Sequence, residues 1–96
     1  MLPLSKDQIA EAARRLPAWT VSGHHITRKA QFRSYGEALV AVNRMAAVAE
    51  RHEHHPDLEW SYRTLTVRLT THDAGGLTLR DFDLAADLDP ILGGGP

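Results

Sequence analysis

The sequence predicts an α+β domain with elements in the order α-β-β-α-β-β-α, a four-stranded antiparallel sheet with its helices packed on one face. Three observations predict it. Helix-start signatures stand at Ser5, Ser34 and Thr78. Two pairs of short strand-like runs read as hairpins. A long helical stripe separates the two hairpins, which suits a sheet covered by helices on one side. The 96 residues form one domain, 1–96, long enough for a modest core.

Ser5-Lys6-Asp7-Gln8 is a capping box, and Ile9, Ala12, Ala13 and Leu16 follow at helical spacing until Pro17. Trp19-Thr20-Val21 begins a strand, and Gly23 marks a turn. The stretch from His25 to Arg33 alternates, with Ile26, Ala30 and Phe32 on one face and the polar Arg28 interrupting it. Ser34-Tyr35-Gly36-Glu37 reads as a second capping box, followed by the stripe Ala38, Val42, Met45, Ala46, Ala49. That helix is expected to end near Glu53, because Pro56 disfavours helix at the residue before it. Leu58 to Tyr62 and Leu65 to Thr71 read as strands, with Trp60 and Tyr62 on one face of the first. Asp73-Ala74-Gly75-Gly76 is a loop. Thr78 to Asp81 opens a third helix with Phe82, Ala85 and Ala86 as its apolar face. The tail from Gly93 to Pro96 is expected to fray. The sheet face away from the helices needs solvent or a second subunit.

Composition narrows the chemistry. A formal net charge of -1, with cations scattered, gives no electrostatic case for nucleic acid or an anionic membrane. The absence of cysteine removes disulfides, thiolate catalysis and Cys-ligated zinc. The start of the chain turns polar at once and no segment reaches membrane-spanning length, so a cytoplasmic location is expected. Histidine is the outlier. Of six in the chain, His52, His54, His55 and His72 fall in one central segment.

His54 and His55 leave the long helix, and His72 stands where the last strand enters the glycine-containing loop. A helix end and a strand end can meet at one rim of a sheet, and a cleft there would hold imidazoles from both. Free imidazole titrates at roughly pH 6.5, so such a group suits general acid–base chemistry. A neighbouring carboxylate favours the protonated ring and burial favours the neutral one, which can split the roles of acid and base. Glu50, Glu53 and Asp73 are the nearby carboxylates. On ligand chemistry alone a transition-metal site remains open for His52, Glu53, His54, His55 and His72. His52 and His54 do not share a helix face, and the spacing is not that of an HExxH helix.

Glu50, His54-His55-Pro56, Tyr62, His72 and Asp81 form a set of seven positions over 32 residues. This set resembles the signature of the pterin-4a-carbinolamine dehydratase family. Leu16-Pro17-Ala18-Trp19 and Phe32-Arg33-Ser34-Tyr35 are similar to the family as well, so the likeness spans nearly the whole chain. The sequence departs from the pattern at Glu53, where aspartate is frequent, and at Leu58, where an aromatic is common.

The resemblance implies the same α-β-β-α-β-β-α fold. It also implies dehydration of a 4a-hydroxytetrahydropterin, released by an aromatic amino acid hydroxylase, to a quinonoid dihydropterin and water. The pterin is the substrate, with no cofactor and no metal. His54 and His72 then look like the proton-transfer pair, and His55 like a pterin contact and further acid or base. Pro56, Thr71, Asp73 and Ala74 would line the pocket. Glu50 and Glu53 would orient imidazoles. Asp81 and Trp19 would stand behind the site, although an acid at Asp81 is expected for capping in any case. The resemblance further implies a homodimer or homotetramer. Its alternative is a binding or assembly role, since relatives stabilise a dimeric transcription factor or, without activity, assist Rubisco assembly.

Overall fold

The computed structural model describes residues 1–93. Of the tail expected to fray, positions 94–96 lie outside the described residues. The elements are α1 (Lys6–Ala13), β1 (Thr20–Ser22), β2 (His25–Gln31), α2 (Tyr35–His52), β3 (Asp57–Ser61), β4 (Thr64–Leu69) and α3 (Leu79–Leu88), with a single 3₁₀ turn at His72–Ala74. The sheet is antiparallel in the order β1-β2-β4-β3, so the two hairpins meet through β2 and β4 at its centre. The predicted architecture is observed, with boundaries shifted by a few residues.

The register places Ile26 opposite Leu69, Arg28 opposite Val67 and Ala30 opposite Leu65. These residues face the helices. Ile26, Leu65, Val67 and Leu69 share one core with Met45 and Val48 of α2 and with Phe82, Leu84, Ala85 and Leu88 of α3. The opposite sheet face is polar on every strand, for example Thr27, Lys29, Glu59, Thr66 and Arg68. Solvent therefore suffices to cover it.

Capping follows the sequence at two of the three starts. Reciprocal boxes join Ser5 to Gln8 and Thr78 to Asp81. At α2 only half the box forms. Ser34 Oγ accepts from the Glu37 N–H, while the Glu37 carboxylate takes the Arg33 guanidinium at 3.1 Å. The stripe on α2 is also rotated from the expected one. Ala41 and Val48 are buried and Ala46 is exposed, because the helix presents that flank to the rim beside β3. On α3, Leu84 and Leu88 take the core positions and Ala86 is exposed. Tyr62 has left its strand for the β3–β4 turn at φ 51°, whereas Trp60 stays on β3 and stacks on Tyr35 at 4.6 Å.

Arg28 proves to be no interruption of the inward face but part of it. Its side chain is 7 % exposed and donates to Asp89 Oδ1 at 2.6 Å and to the Leu92 carbonyl at 3.1 Å. The Trp19 indole N–H donates to the same Asp89 oxygen at 2.7 Å. This cluster ties the chain after α3 to the sheet. Removing one partner of a buried ion pair strands the other. Asp89→Ala is therefore expected to cost about 2–4 kcal/mol, read as a fall in Tm of roughly 10–20 °C for a domain this size.

Candidate active site

The site begins where α2 ends. Glu53 adopts a left-handed conformation at φ 50°. The Glu53 N–H donates to the Glu50 carbonyl at 3.1 Å and the His54 N–H to the Ala49 carbonyl at 3.2 Å. This is a Schellman closure, a position that favours glycine. Pro56 then holds His55 in an extended conformation. The closure directs the chain off the helix, with His54 turned inward (8 % exposed) and His55 outward. A side chain at a left-handed position is strained. Glu53→Gly is expected to stabilise the fold by about 0.5–1 kcal/mol, seen as a rise in Tm.

The second wall comes from the end of β4. Thr71 pairs with Gly76 in a bridge, and the residues between them form the 3₁₀ turn that projects His72 at the rim. Gly75 closes that turn at φ 72°, a conformation suited to glycine. The start of α3 supplies the third wall.

Asp81 joins all three. Its side chain is fully buried. Oδ1 accepts from His54 Nε2 at 2.6 Å, and Oδ2 accepts from the Thr71 hydroxyl at 2.8 Å and the Thr78 N–H at 2.9 Å. Because the Thr71 proton is committed to Asp81, the Thr78 hydroxyl is the donor in the 2.8 Å contact between the two threonines. Each oxygen of Asp81 is thus an acceptor, and His54 Nε2 carries its hydrogen. That leaves Nδ1 as the His54 nitrogen free to exchange a proton. The carboxylate expected at this position for capping alone does both jobs.

These walls enclose an open cleft of about 260 Å³ lined by Glu53, His54, His55, Thr70, Thr71, His72, Asp73 and Arg80. His55 Nε2 donates to Glu50 Oε1 at 3.0 Å at the protein surface. Glu53 enters through its backbone carbonyl, which accepts from Arg80 Nη2 at 2.7 Å. Pro56 lies on a neighbouring cavity beside Met45, Ala49 and Leu58 rather than on this one. Ala74 sits in the 3₁₀ turn, its N–H on the Thr71 carbonyl. Trp19 is in the core on Asp89, not on the cleft. His52 is outside it too, donating to Asp87 at 2.7 Å and clamping α2 to α3. Arg80 and Thr70 were not read from the sequence. The position of Arg80, one residue before the Asp81 that caps α3, was the available signal. Among the described residues no group of three or more His, Asp or Glu converges as a metal site would require.

Chemically, the cleft offers one imidazole with a fixed tautomer, a second at the end of a strand and a third held by a surface carboxylate. Such a group can remove a proton from one atom of a small ligand and deliver one to its neighbour. The class defined by fold and site is a small α+β domain with a histidine-lined cleft. A profile of the family described as Pterin 4 alpha carbinolamine dehydratase matches residues 2–91. A protein of Nocardia farcinica, provisionally named a pterin-4-alpha-carbinolamine dehydratase, is 50% identical over 92% of this chain and 93% of its own length. One from Picosynechococcus sp. with the same provisional name is 43% identical over 92% of this chain and 96% of its own. The chain belongs to the pterin carbinolamine dehydratase family. In fold it is similar to the crystal structure of a transcriptional coactivator/pterin dehydratase from Brucella melitensis, with TM-score 0.90, 30% identity and coverage of 95% and 99% of the two chains. A pterin dehydratase-like protein identified as a RuBisCO assembly factor shares the fold, with TM-score 0.64, 18% identity and coverage of 78% of this chain and 87% of its own.

Proposed function

We propose that this protein dehydrates 4a-hydroxytetrahydropterins to quinonoid dihydropterins and water. The observation that carries the reading is the convergence of His54, His55 and His72 on one cleft, with His54 held by the buried Asp81. In the reaction the N5–H bond breaks and its electron pair forms the N5=C4a double bond. The C4a–O bond breaks, and the oxygen takes a proton as it leaves as water. One imidazole of the His54–His72 pair accepts the N5 proton and the other protonates the departing hydroxyl. Hydroxide is a poor leaving group, so that second transfer matters most. His55 contacts the pterin, and Asp73 and Arg80 supply polar contacts along the cleft, while Thr71 holds Asp81 behind it. The step serves to regenerate a pterin that an aromatic amino acid hydroxylase has hydroxylated.

The protein is also read as self-associating. β1 and β3 are sheet edges, and Leu39, Val40 and Leu58 are exposed apolar side chains on α2 and β3. An assembly role is the competing reading, drawn from the coactivator and assembly-factor names of the two structural neighbours. The intact histidine set favours the enzyme. The test is optical decay of a 4a-hydroxytetrahydropterin with purified protein, before and after treatment with a chelator. Acceleration that survives chelation is expected. A decay no faster than buffer, combined with stoichiometric capture of a client that His54→Ala leaves unchanged, would replace the enzyme reading with the assembly one.

A further inference from the structure

The first turn of α3 holds the chain that leaves α2 with two adjacent side chains. Asp81 takes the His54 ring from the buried side at 2.6 Å. Arg80, half-buried on the cleft wall, donates from Nη2 to the Glu53 carbonyl at 2.7 Å. That turn is a firm base for both. Thr78 and Asp81 close a reciprocal capping box, and the Arg80 N–H donates to the Thr78 hydroxyl oxygen at 3.3 Å.

The partner that Arg80 takes is informative. The Glu53 carbonyl and the His54 N–H lie on opposite edges of one planar peptide. The N–H edge donates to the Ala49 carbonyl at 3.2 Å, so Arg80 fixes the second edge of a plane that α2 already holds by the first. The peptide follows a residue in the left-handed region at φ 50°, and it carries a carbonyl that α2 itself leaves without a donor. Among the described residues Arg80 pairs with no carboxylate, although Glu53 and Asp73 both line the cleft. A bond to the backbone does not depend on which side chain stands at 53.

We infer that Arg80 is a positioning residue for His54. Through the Glu53 carbonyl it fixes the peptide from which the His54 side chain departs, while Asp81 fixes the far side of the ring. Nδ1 is then presented to the cleft at one place and angle. The consequence for rate rests on the proposed dehydration. Arg80 is neither proton donor nor acceptor in it, since a guanidinium stays charged in proteins. Displacing a proton-transfer group by about 1 Å can cost about 10²-fold in rate.

Arg80→Met keeps the aliphatic stem and removes the donors, and Arg80→Lys restores one donor. Two readouts on the purified protein decide. In dehydration kinetics, Arg80→Met is expected to lower kcat about ten- to hundredfold with KM within about twofold of wild type, and Arg80→Lys to recover most of that loss. In amide hydrogen exchange without substrate, the His54 N–H should exchange about tenfold faster in Arg80→Met, with the Val67 and Leu69 amides of β4 unchanged. Arg80→Lys should return His54 to the wild-type exchange rate. A raised KM at unchanged kcat overturns the positioning role and leaves Arg80 as a ligand contact. His54 exchange unchanged in a folded Arg80→Met protein overturns the clamp, whatever the catalytic rate does. Faster His54 exchange in Arg80→Met, with no dehydration by the wild type, upholds the clamp and overturns the proposed reaction.

Discussion

His72→Ala is expected to lower kcat for carbinolamine dehydration by about 10²–10⁴, the usual worth of a positioned acid or base. The fold should hardly notice. His72 is exposed, and the turn that carries it is closed by backbone bonds from Ala74 and Gly75 to Thr71 and His72 carbonyls, which alanine retains. Tm should stay within a few degrees, since surface changes away from special features are usually worth under about 0.5 kcal/mol. Separating the two readouts matters. A fall in rate together with a fall in Tm would mean that His72 holds the loop; a fall in rate alone is the signature of a proton-transfer group. Full activity in the folded variant would remove His72 from the mechanism.

Asp81 gives the opposite pattern, because there structure and chemistry are the same hydrogen bonds. Asp81→Ala leaves His54 Nε2, the Thr71 hydroxyl and the Thr78 N–H without an acceptor in a fully buried position. Orphaned buried donors cost about 1–3 kcal/mol each and are not additive. A loss of about 3–5 kcal/mol follows, enough to lower Tm by roughly 15–30 °C. Asp81→Asn is the sharper variant. An amide nearly matches the carboxylate in shape but cannot accept from all three donors. With its NH₂ toward His54, the imidazole must present Nε2 as acceptor and carry its hydrogen on Nδ1. The nitrogen left to face the substrate is then in the wrong state, and kcat should fall by about 10²–10⁴ with little change in KM. A changed pH–rate profile in the folded Asp81→Asn protein separates this tautomer effect from simple destabilisation. Unchanged kcat in that protein would reduce Asp81 to a helix cap.

What the sequence revealed depended on how local each signal was. Ser5 and Thr78 announced their helices because a capping box closes within four residues. At Ser34 the same pattern misled by half, since Arg33 lies close enough to compete for Glu37. Strand alternation gave the sheet, yet Arg28 looked like an error in it. Its explanation, Asp89, stands 61 residues away. The same distance problem put Trp19 near the site on paper and on Asp89 in the fold. His54 and His72 could be assigned to one rim because an element end carries each of them. The resemblance set Asp81 behind the site, but its bond to His54 was not legible, because a helix cap was already a sufficient reason for an acid there. Arg80 escaped for a similar reason: an arginine in a first helical turn is unremarkable until Glu53 folds back as its acceptor.

On the proposed function, this cleft turns over a hydroxylated tetrahydropterin by histidine acid–base catalysis. The direct measurement is the decay of 4a-hydroxytetrahydrobiopterin, generated in place and followed optically, at protein concentrations far below that of the pterin. A rate proportional to protein concentration, with many turnovers per chain, is expected. A rate that stays at the buffer value as wild-type protein is added would contradict it.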